Sequence, residues 1–252
     1  MTTIFVLKYH HQLLDLWRER SVAGIGLDHI DFHCDMRGLF VDPGRSNVAW
    51  VGDEPGGLDE GNFISHAIME DRIKDVTWVH DLPGGRAFDV NGVVLEGDLA
   101  RYLPWKQPRP STFRGGLGYR EMTLERWKGP STDRWLDIDW DTFACLDIPR
   151  ASLNHRVASF FDRLSQAGAG KPEHISVCYS PGYSHPTQNE FKTFVENLRA
   201  LYGATVEERN WVEEPEAKTP SLKHLVPPPV RNILRENAFR AHRALRQRGI
   251  FL

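Results

Sequence analysis

Short apolar runs that alternate with helix-length segments constrain this chain more than any other feature of its sequence. Residues 4–7 (Ile-Phe-Val-Leu) read as a buried strand, followed by a helix over residues 11–20 with Leu13, Leu14, Leu16 and Trp17 on one side. A second strand spans residues 26–32, and a third, Val76-Thr77-Trp78-Val79, follows a helix over residues 62–72. Further strands at residues 134–138 and 175–179 are each followed by a helix, at 153–166 and 187–201, the latter ending before Gly203. Strands this apolar along their whole length are buried on both faces. Their alternation with helices predicts an α/β fold, a mainly parallel sheet in a three-layer α/β/α arrangement.

In such sheets ligands bind beyond the carboxyl ends of the strands. Here those ends carry His10, the run Asp31-Phe32-His33-Cys34-Asp35, His80, Asp137-Ile138-Asp139 and a turn from Tyr179 to His185. In an extended chain alternate side chains share a face, so Asp31, His33 and Asp35 are expected together, as are Asp137 and Asp139. Carboxylates at that spacing repel one another and resist burial unless a cation neutralises them. The competing reading, aspartates capping helix N-termini, does not explain why two such runs both end strand-like stretches in this chain order. A metal site does.

The bulk properties narrow the alternatives. With 252 residues the chain can bury a substantial core. Its 31 Lys and Arg balance 34 Asp and Glu, which gives no sign of general nucleic-acid binding. No apolar run is long enough to span a bilayer, and no basic, apolar leader opens the sequence, so no membrane role is expected. The three cysteines, Cys34, Cys145 and Cys178, lie in or beside strand-like runs and fit buried thiols in a reducing, cytoplasmic setting. Residues 42–61 form a long acidic, Gly-rich loop, and residues 82–130 read as an irregular insertion with short strands such as Val93-Val94-Leu95. We place the α/β domain that carries the metal site over residues 1–212. Residues 213–252 follow as a proline-containing linker and a basic helix, where arginines from Arg231 to Arg248 surround Val230, Leu234, Ala238 and Leu245. That helix either docks on the body or offers a peptide- or partner-binding surface.

The Asp-x-His-x-Asp run, the later Asp-x-Asp and a histidine after the first strand resemble the ureohydrolase superfamily of arginase, agmatinase and, more distantly, the histone deacetylases. The similarity runs over about residues 4 to 200 and is greatest to a short branch related to arginases. It includes Tyr9-His10-His11, His29, Asn62-Phe63-Ile64, Trp78-Val79-His80 and Leu136-Asp137-Ile138-Asp139-Trp140-Asp141. The resemblance implies six ligands, His10, Asp31, His33, Asp35, Asp137 and Asp139, with His11 as the alternative to His10. It also implies two divalent ions, and a carboxylate-rich set suits Mn²⁺. Two such ions share a water and lower its pKa toward neutrality. His29 is expected to orient a ligand from behind it.

Within that resemblance the activity is hydrolysis of a guanidino group, with Asp139 accepting a proton and a histidine passing it to the leaving amine. His80 is one candidate. The other is His66, in Gly61-Asn62-Phe63-Ile64-Ser65-His66, an approximate echo of a Gly-Asn-x-His stretch. The guanidinium needs a carboxylate, and Asp53, Glu54, Asp59, Glu60 and Glu190 are all available. Three departures stand out. The Gly-rich signature before the first ligand is missing, Asp141 is followed by Thr142-Phe143 instead of the family's Asp-Pro, and no loop that grips the α-amino and α-carboxylate groups of free arginine is identifiable. A peptide needs no such grip, so an arginine-containing peptide, yielding ornithine and urea, is the expected substrate. A deacylase of acylated lysine or polyamine, and a non-catalytic peptide-binding protein with a structural metal, are the other readings. The oligomeric state stays open.

Overall fold

The computed structural model describes residues 1–42, 47–50, 57–80, 116–146, 148–166 and 170–209. These belong to one of two units into which the chain divides, Met1–Trp211. The proline-containing and basic segments fall in the other unit, Val212–Leu252, and so outside the described residues, as do Val93-Val94-Leu95.

Seven strands form one sheet in the order β6-β5-β2-β7-β8-β1-β9. They are β1 (Thr3–Leu7), β2 (Ile25–Ile30), β5 (Ile73–His80), β6 (Gly118–Thr123), β7 (Arg134–Asp139), β8 (His174–Cys178) and β9 (Thr205–Arg209), all paired in parallel. A two-stranded antiparallel hairpin, β3 (Leu39–Asp42) and β4 (Asn47–Trp50), leads into α2. The helices are α1 (Gln12–Glu19), α2 (Phe63–Met69), α3 (Asp141–Ala144), α4 (Leu153–Gln166) and α5 (Gln188–Tyr202). Gly203 ends α5 in the left-handed conformation, φ 57°, which a residue without Cβ adopts at no steric cost.

Strand alternation sorts the core into two layers. Phe5, Leu7, Leu27, Val76, Trp78 and Trp135 pack on one face against Leu13, Leu14 and Trp17 of α1 and Phe63 and Ile64 of α2. Ile4, Val6, Ile30, Ile138, Ile175 and Val177 pack on the other against Phe143 of α3, Phe160 of α4, and Phe191 and Phe194 of α5. The expected three-layer fold follows, and its halves have a cause. The chain steps outward from β2 to β5 and β6 in one direction, and from β7 to β8 in the other. Right-handed crossovers then put α1 and α2 on one face and α4 and α5 on the other. The reversal lies between β2 and β7, the switch point where such sheets open a crevice.

Three features depart from the sequence reading. β2 stops at Ile30, so residues 31–35 form a loop instead of a strand. β4 lies inside residues 42–61, read as a loop, whereas β6 is one of the short strands expected within residues 82–130. β9 was not expected at all: Thr-Val-Glu-Glu-Arg carries one apolar residue, because an edge strand keeps one side in water.

At the amino ends of the strands, opposite the crevice, Arg134 ties β7 to β2 and β5. Its Nε donates to Asp28 Oδ1 at 2.6 Å, its Nη2 to Leu27 O at 2.6 Å and Thr77 Oγ1 at 3.1 Å, and it pairs with Asp75. Gly26 makes room for it, since a Cβ there would lie 2.7 Å from Arg134 Nη1. Asp28 is only 4% exposed, and its second oxygen accepts from Trp127 Nε1 at 3.3 Å. Arg134→Met should therefore leave a buried carboxylate without its cation and cost about 3–5 kcal/mol of stability. Urea unfolding of the variant measures this, and a loss under about 1 kcal/mol would show that the network is solvated.

Candidate metal centre

The site is assembled at the carboxyl ends of β1, β2 and β7. After β1 the chain turns at residues 8–11, where Gln12 Oε1 accepts from the backbone N–H of Lys8 (3.1 Å) and Tyr9 (3.0 Å). This turn buries His10 completely and lays His11 on the Tyr9 ring. Asp31 continues from β2, its N–H donating to Val79 O at 3.1 Å and its carbonyl accepting from Trp78 Nε1 at 3.1 Å. Asp35 adopts φ 51°, a left-handed conformation aspartate tolerates, and its carbonyl accepts from Ile64 N at 3.2 Å. Asp31, His33 and Asp35 thus converge through a folded-back loop. The alternation of an extended strand is not what brings them together.

His10 Nδ1 lies 3.0 Å from Asp35 Oδ2, 3.1 Å from Asp139 Oδ2 and 3.3 Å from Asp31 Oδ2. Among the described residues neither His10 Nδ1 nor Asp31 Oδ2 makes a hydrogen bond, although both atoms are buried. Neighbouring ligands of an octahedral cation with bonds of about 2.1 Å are separated by about 3 Å. The three contacts of His10 Nδ1 have this spacing, which is also that of an imidazolium–carboxylate ion pair. A second group adjoins it, made by Asp31, His33 and Asp141, with His33 Nδ1 2.9 Å from Asp141 Oδ2. Asp31 belongs to both groups. Its Oδ2 faces His10, while its Oδ1 accepts from His33 N at 2.8 Å. Asp139 is held between them: Ser180 Oγ donates to its Oδ2 at 2.8 Å, and Asp141 N to its Oδ1 at 3.3 Å.

Asp137 is placed differently. Its Oδ1 accepts from Ser176 Oγ at 2.6 Å, and its Oδ2 lies 2.9 Å from His10 Nε2 and 2.8 Å from His29 Nδ1. A carboxylate only accepts, so both imidazoles present N–H to it. That fixes His10 with its proton on Nε2 and turns Nδ1 toward the other carboxylates.

The charges confirm how poorly this cluster tolerates burial. Burial and the charges of Asp139 and Asp31 push Asp141 well above the usual carboxylate range, and burial with the Asp31 charge pushes Asp139 up as well. Burial alone would lower His10 and His29. The charges of Asp137 and Asp139 around His10 outweigh it and raise that ring well above its ordinary value, while Asp31 and Asp137 raise His29 to about 10. Without a cation the cluster thus keeps protons that a ligand set must give up. Metal loading should release protons, and apparent affinity should climb as pH rises through neutrality. Titrating Mn²⁺ into weakly buffered protein at pH 6 and pH 8 reads both, and pH-independent affinity without proton release would rule out coordination by these groups.

The remaining candidates fall elsewhere. His80 ends β5 on the strand beside β2, 3.0 Å from Glu121 Oε1 and against the Trp78 ring. His66, on α2, packs edge-on against Trp50. His185 Nε2 lies 2.9 Å from Ile148 O. Neither His80 nor His66 is among the convergent ligand atoms. Of the five carboxylates considered for a cationic substrate, Asp53 and Glu54 lie outside the described residues. Asp59 pairs with Arg37, and Glu190 with Arg150. Glu60 lies close enough to the His10 backbone for it to influence its carboxyl group, and its Oε1 is buried without a hydrogen bond among the described residues. Burial and the nearby Asp139 charge push its pKa up to about 7. The groups of convergent donors also take in Asp141 and His29, beyond the six residues named from the sequence. Asp141 is the third member of an alternating Asp-x-Asp-x-Asp run, and choosing the pair at the strand's end needs the register that places Asp137 opposite Ser176.

No protein-family model matches this chain, and no curated protein does. Among solved structures it is similar to proclavaminate amidino hydrolase from Streptomyces clavuligerus, at 15% identity and a TM-score of 0.43 over 80% of this chain and 63% of that one. It is likewise similar to a hypothetical agmatinase from Burkholderia thailandensis, at 15% identity and a TM-score of 0.44 over 80% of this chain and 58% of that one. The chain therefore spans less than two thirds of either protein.

Proposed function

We propose that this chain is a hydrolase with two divalent cations at the β2/β7 switch point. It cleaves the C–N bond of an arginine guanidino group within a peptide, giving ornithine and urea. One observation carries the reading: two adjoining groups of buried carboxylate and imidazole donors share Asp31, and donor atoms in them lack hydrogen bonds. His10, Asp31, Asp35 and Asp139 would hold one ion. Asp31, His33 and Asp141, with the other oxygen of Asp139, would hold the second. Asp137 leaves the expected ligand set and Asp141 enters it. The preponderance of carboxylates favours Mn²⁺. Two such ions supply a water that ionises near neutral pH.

The chain's own residues supply the rest. Glu60 offers a carboxylate oxygen to the guanidinium, a planar cation that carboxylates bind in pairs of hydrogen bonds. Asp139, steadied by Ser180, accepts the proton of the attacking water. His80, on the strand beside β2 and paired with Glu121, is our candidate to return it to the leaving nitrogen. His33 is part-exposed and meets the exposed Tyr183. An entrance there suits a side chain presented by a peptide.

Mass spectrometry on arginine-containing peptides, incubated with Mn²⁺-loaded protein beside free arginine and agmatine, tests the reading. Metal-dependent loss of urea from peptidyl arginine is expected. Turnover of acyl-lysine peptides instead would make the protein a deacylase. Stable peptide binding without any mass change would make it a binding protein with a structural metal.

A further inference from the structure

His29 mirrors His10 across Asp137. The two rings lie 5.3 Å apart, and both direct one nitrogen at Asp137 Oδ2, at 2.8 and 2.9 Å. The opposite nitrogens then face the same side. His29 Nε2 lies 3.1 Å from Asp31 Oδ2 and 4.0 Å from Asp35 Oδ2, as His10 Nδ1 lies 3.3 Å from Asp31 Oδ2. His29 is fully buried, and its Nε2 makes no hydrogen bond among the described residues. In an octahedral shell with bonds of about 2.1 Å, neighbouring ligands stand about 3 Å apart and opposite ones about 4.2 Å. The His29 contacts fit a place next to Asp31 and nearly across from Asp35.

We propose that His29 is a further ligand of the cation held by His10, Asp31, Asp35 and Asp139, bound through Nε2. The inference rests on the metal-centre reading above. Asp137 is then a single orienting carboxylate for two imidazoles, with Ser176 fixing its other oxygen. Such a partner behind a ligand histidine sets both the tautomer and the ring plane. The subsite gains a second neutral imidazole. Imidazole donors suit later first-row ions better than Mg²⁺ or Ca²⁺, so this subsite should hold its ion more selectively than the one built on His33.

The test uses the full chain labelled with ¹⁵N-histidine and loaded with ¹¹³Cd²⁺. His10 and His33 offer Nδ1, whereas His29 offers Nε2, and the two nitrogen types differ in their couplings to the ring protons. A cadmium-coupled nitrogen of the ε type is expected, and it should vanish in His29→Asn. That substitution keeps an amide N–H where Nδ1 meets Asp137 and leaves nothing at Nε2. Its Cd²⁺ affinity, measured by chelator competition, should fall tenfold or more. Cadmium coupling to δ-type nitrogens alone would overturn the proposal, whether or not the variant folds. No coupling to any histidine would instead sink the metal-centre reading on which it depends.

Discussion

Replacing Asp141 with asparagine should move activity and stability in opposite directions. Turnover by metal-loaded protein is expected to fall at least about 10³-fold, about 4 kcal/mol of transition-state stabilisation, because one ion loses a charged ligand beside His33. The metal-free variant, by contrast, should be more stable than metal-free wild type by about 1–2 kcal/mol at pH 7. Asp141 is buried, and burial together with Asp139 and Asp31 holds its pKa well above that of an unfolded carboxylate. A carboxyl with a raised folded pKa binds its proton more tightly folded than unfolded. Its contribution to stability is present at low pH and is lost as pH rises from the unfolded value toward the folded one. Asparagine removes this penalty and keeps the shape. Its carbonyl can accept from Phe32 N, as Asp141 Oδ1 does at 3.4 Å, and its amide can donate to His33 Nδ1. Thermal melts of both proteins with and without Mn²⁺ read the two signs. If the variant is destabilised without metal, Asp141 is an ordinary structural acceptor of the His33 ring.

The outline of this site was legible in the sequence because strand ends in a parallel sheet are where chemistry collects. Apolar runs placed Asp31 and Asp139 at such ends, and the structure puts them side by side across β2 and β7. The parts that were not legible depend on geometry below the resolution of a pattern. In Asp137-Ile138-Asp139-Trp140-Asp141 alternation says that three carboxylates share a side, but not which of them reaches the strand's end. Register does: His29 pairs with Asp137 and Ile138 with Ile30, so Asp137 is one layer down, among hydrogen-bond donors. His29 was expected to orient a ligand from behind, and only the fold shows that its Nε2 lies 3.1 Å from Asp31 Oδ2. The loop at residues 31–35 gave the right residues for an incomplete reason, its convergence resting on the left-handed backbone of Asp35. Glu60 was one acid among five in a stretch whose spacing carries no period. Only the fold shows that Asp59 turns outward to Arg37 while Glu60 buries its Oε1.

That placement makes Glu60→Gln the most direct probe of the substrate's charge. The Asn62 side chain accepts from Asp59 N at 2.8 Å and donates to Gly57 O at 2.8 Å, so the short turn that carries Glu60 is braced from within. Glutamine keeps the length of the side chain and one carbonyl acceptor, and it removes only the negative charge. A guanidinium held by two charge-assisted hydrogen bonds draws about 1.5–3 kcal/mol from each. Losing the charge while keeping one neutral acceptor should cost about 3–4 kcal/mol in kcat/KM for an arginine peptide, about 10²–10³-fold. A citrulline peptide has the same shape and no charge, so its binding should hardly change. The wild-type preference for arginine over citrulline, measured by calorimetry on metal-loaded protein, is therefore expected to collapse in the variant. An equal loss for both peptides, with metal content unchanged, would assign Glu60 to the architecture of the His10 turn. A drop in metal content would instead make it a ligand of the first ion. Only a loss confined to the charged peptide fits a carboxylate that recognises the cation, and it would tie the Glu60 oxygen that lacks a hydrogen bond among the described residues to the guanidino group proposed as the substrate.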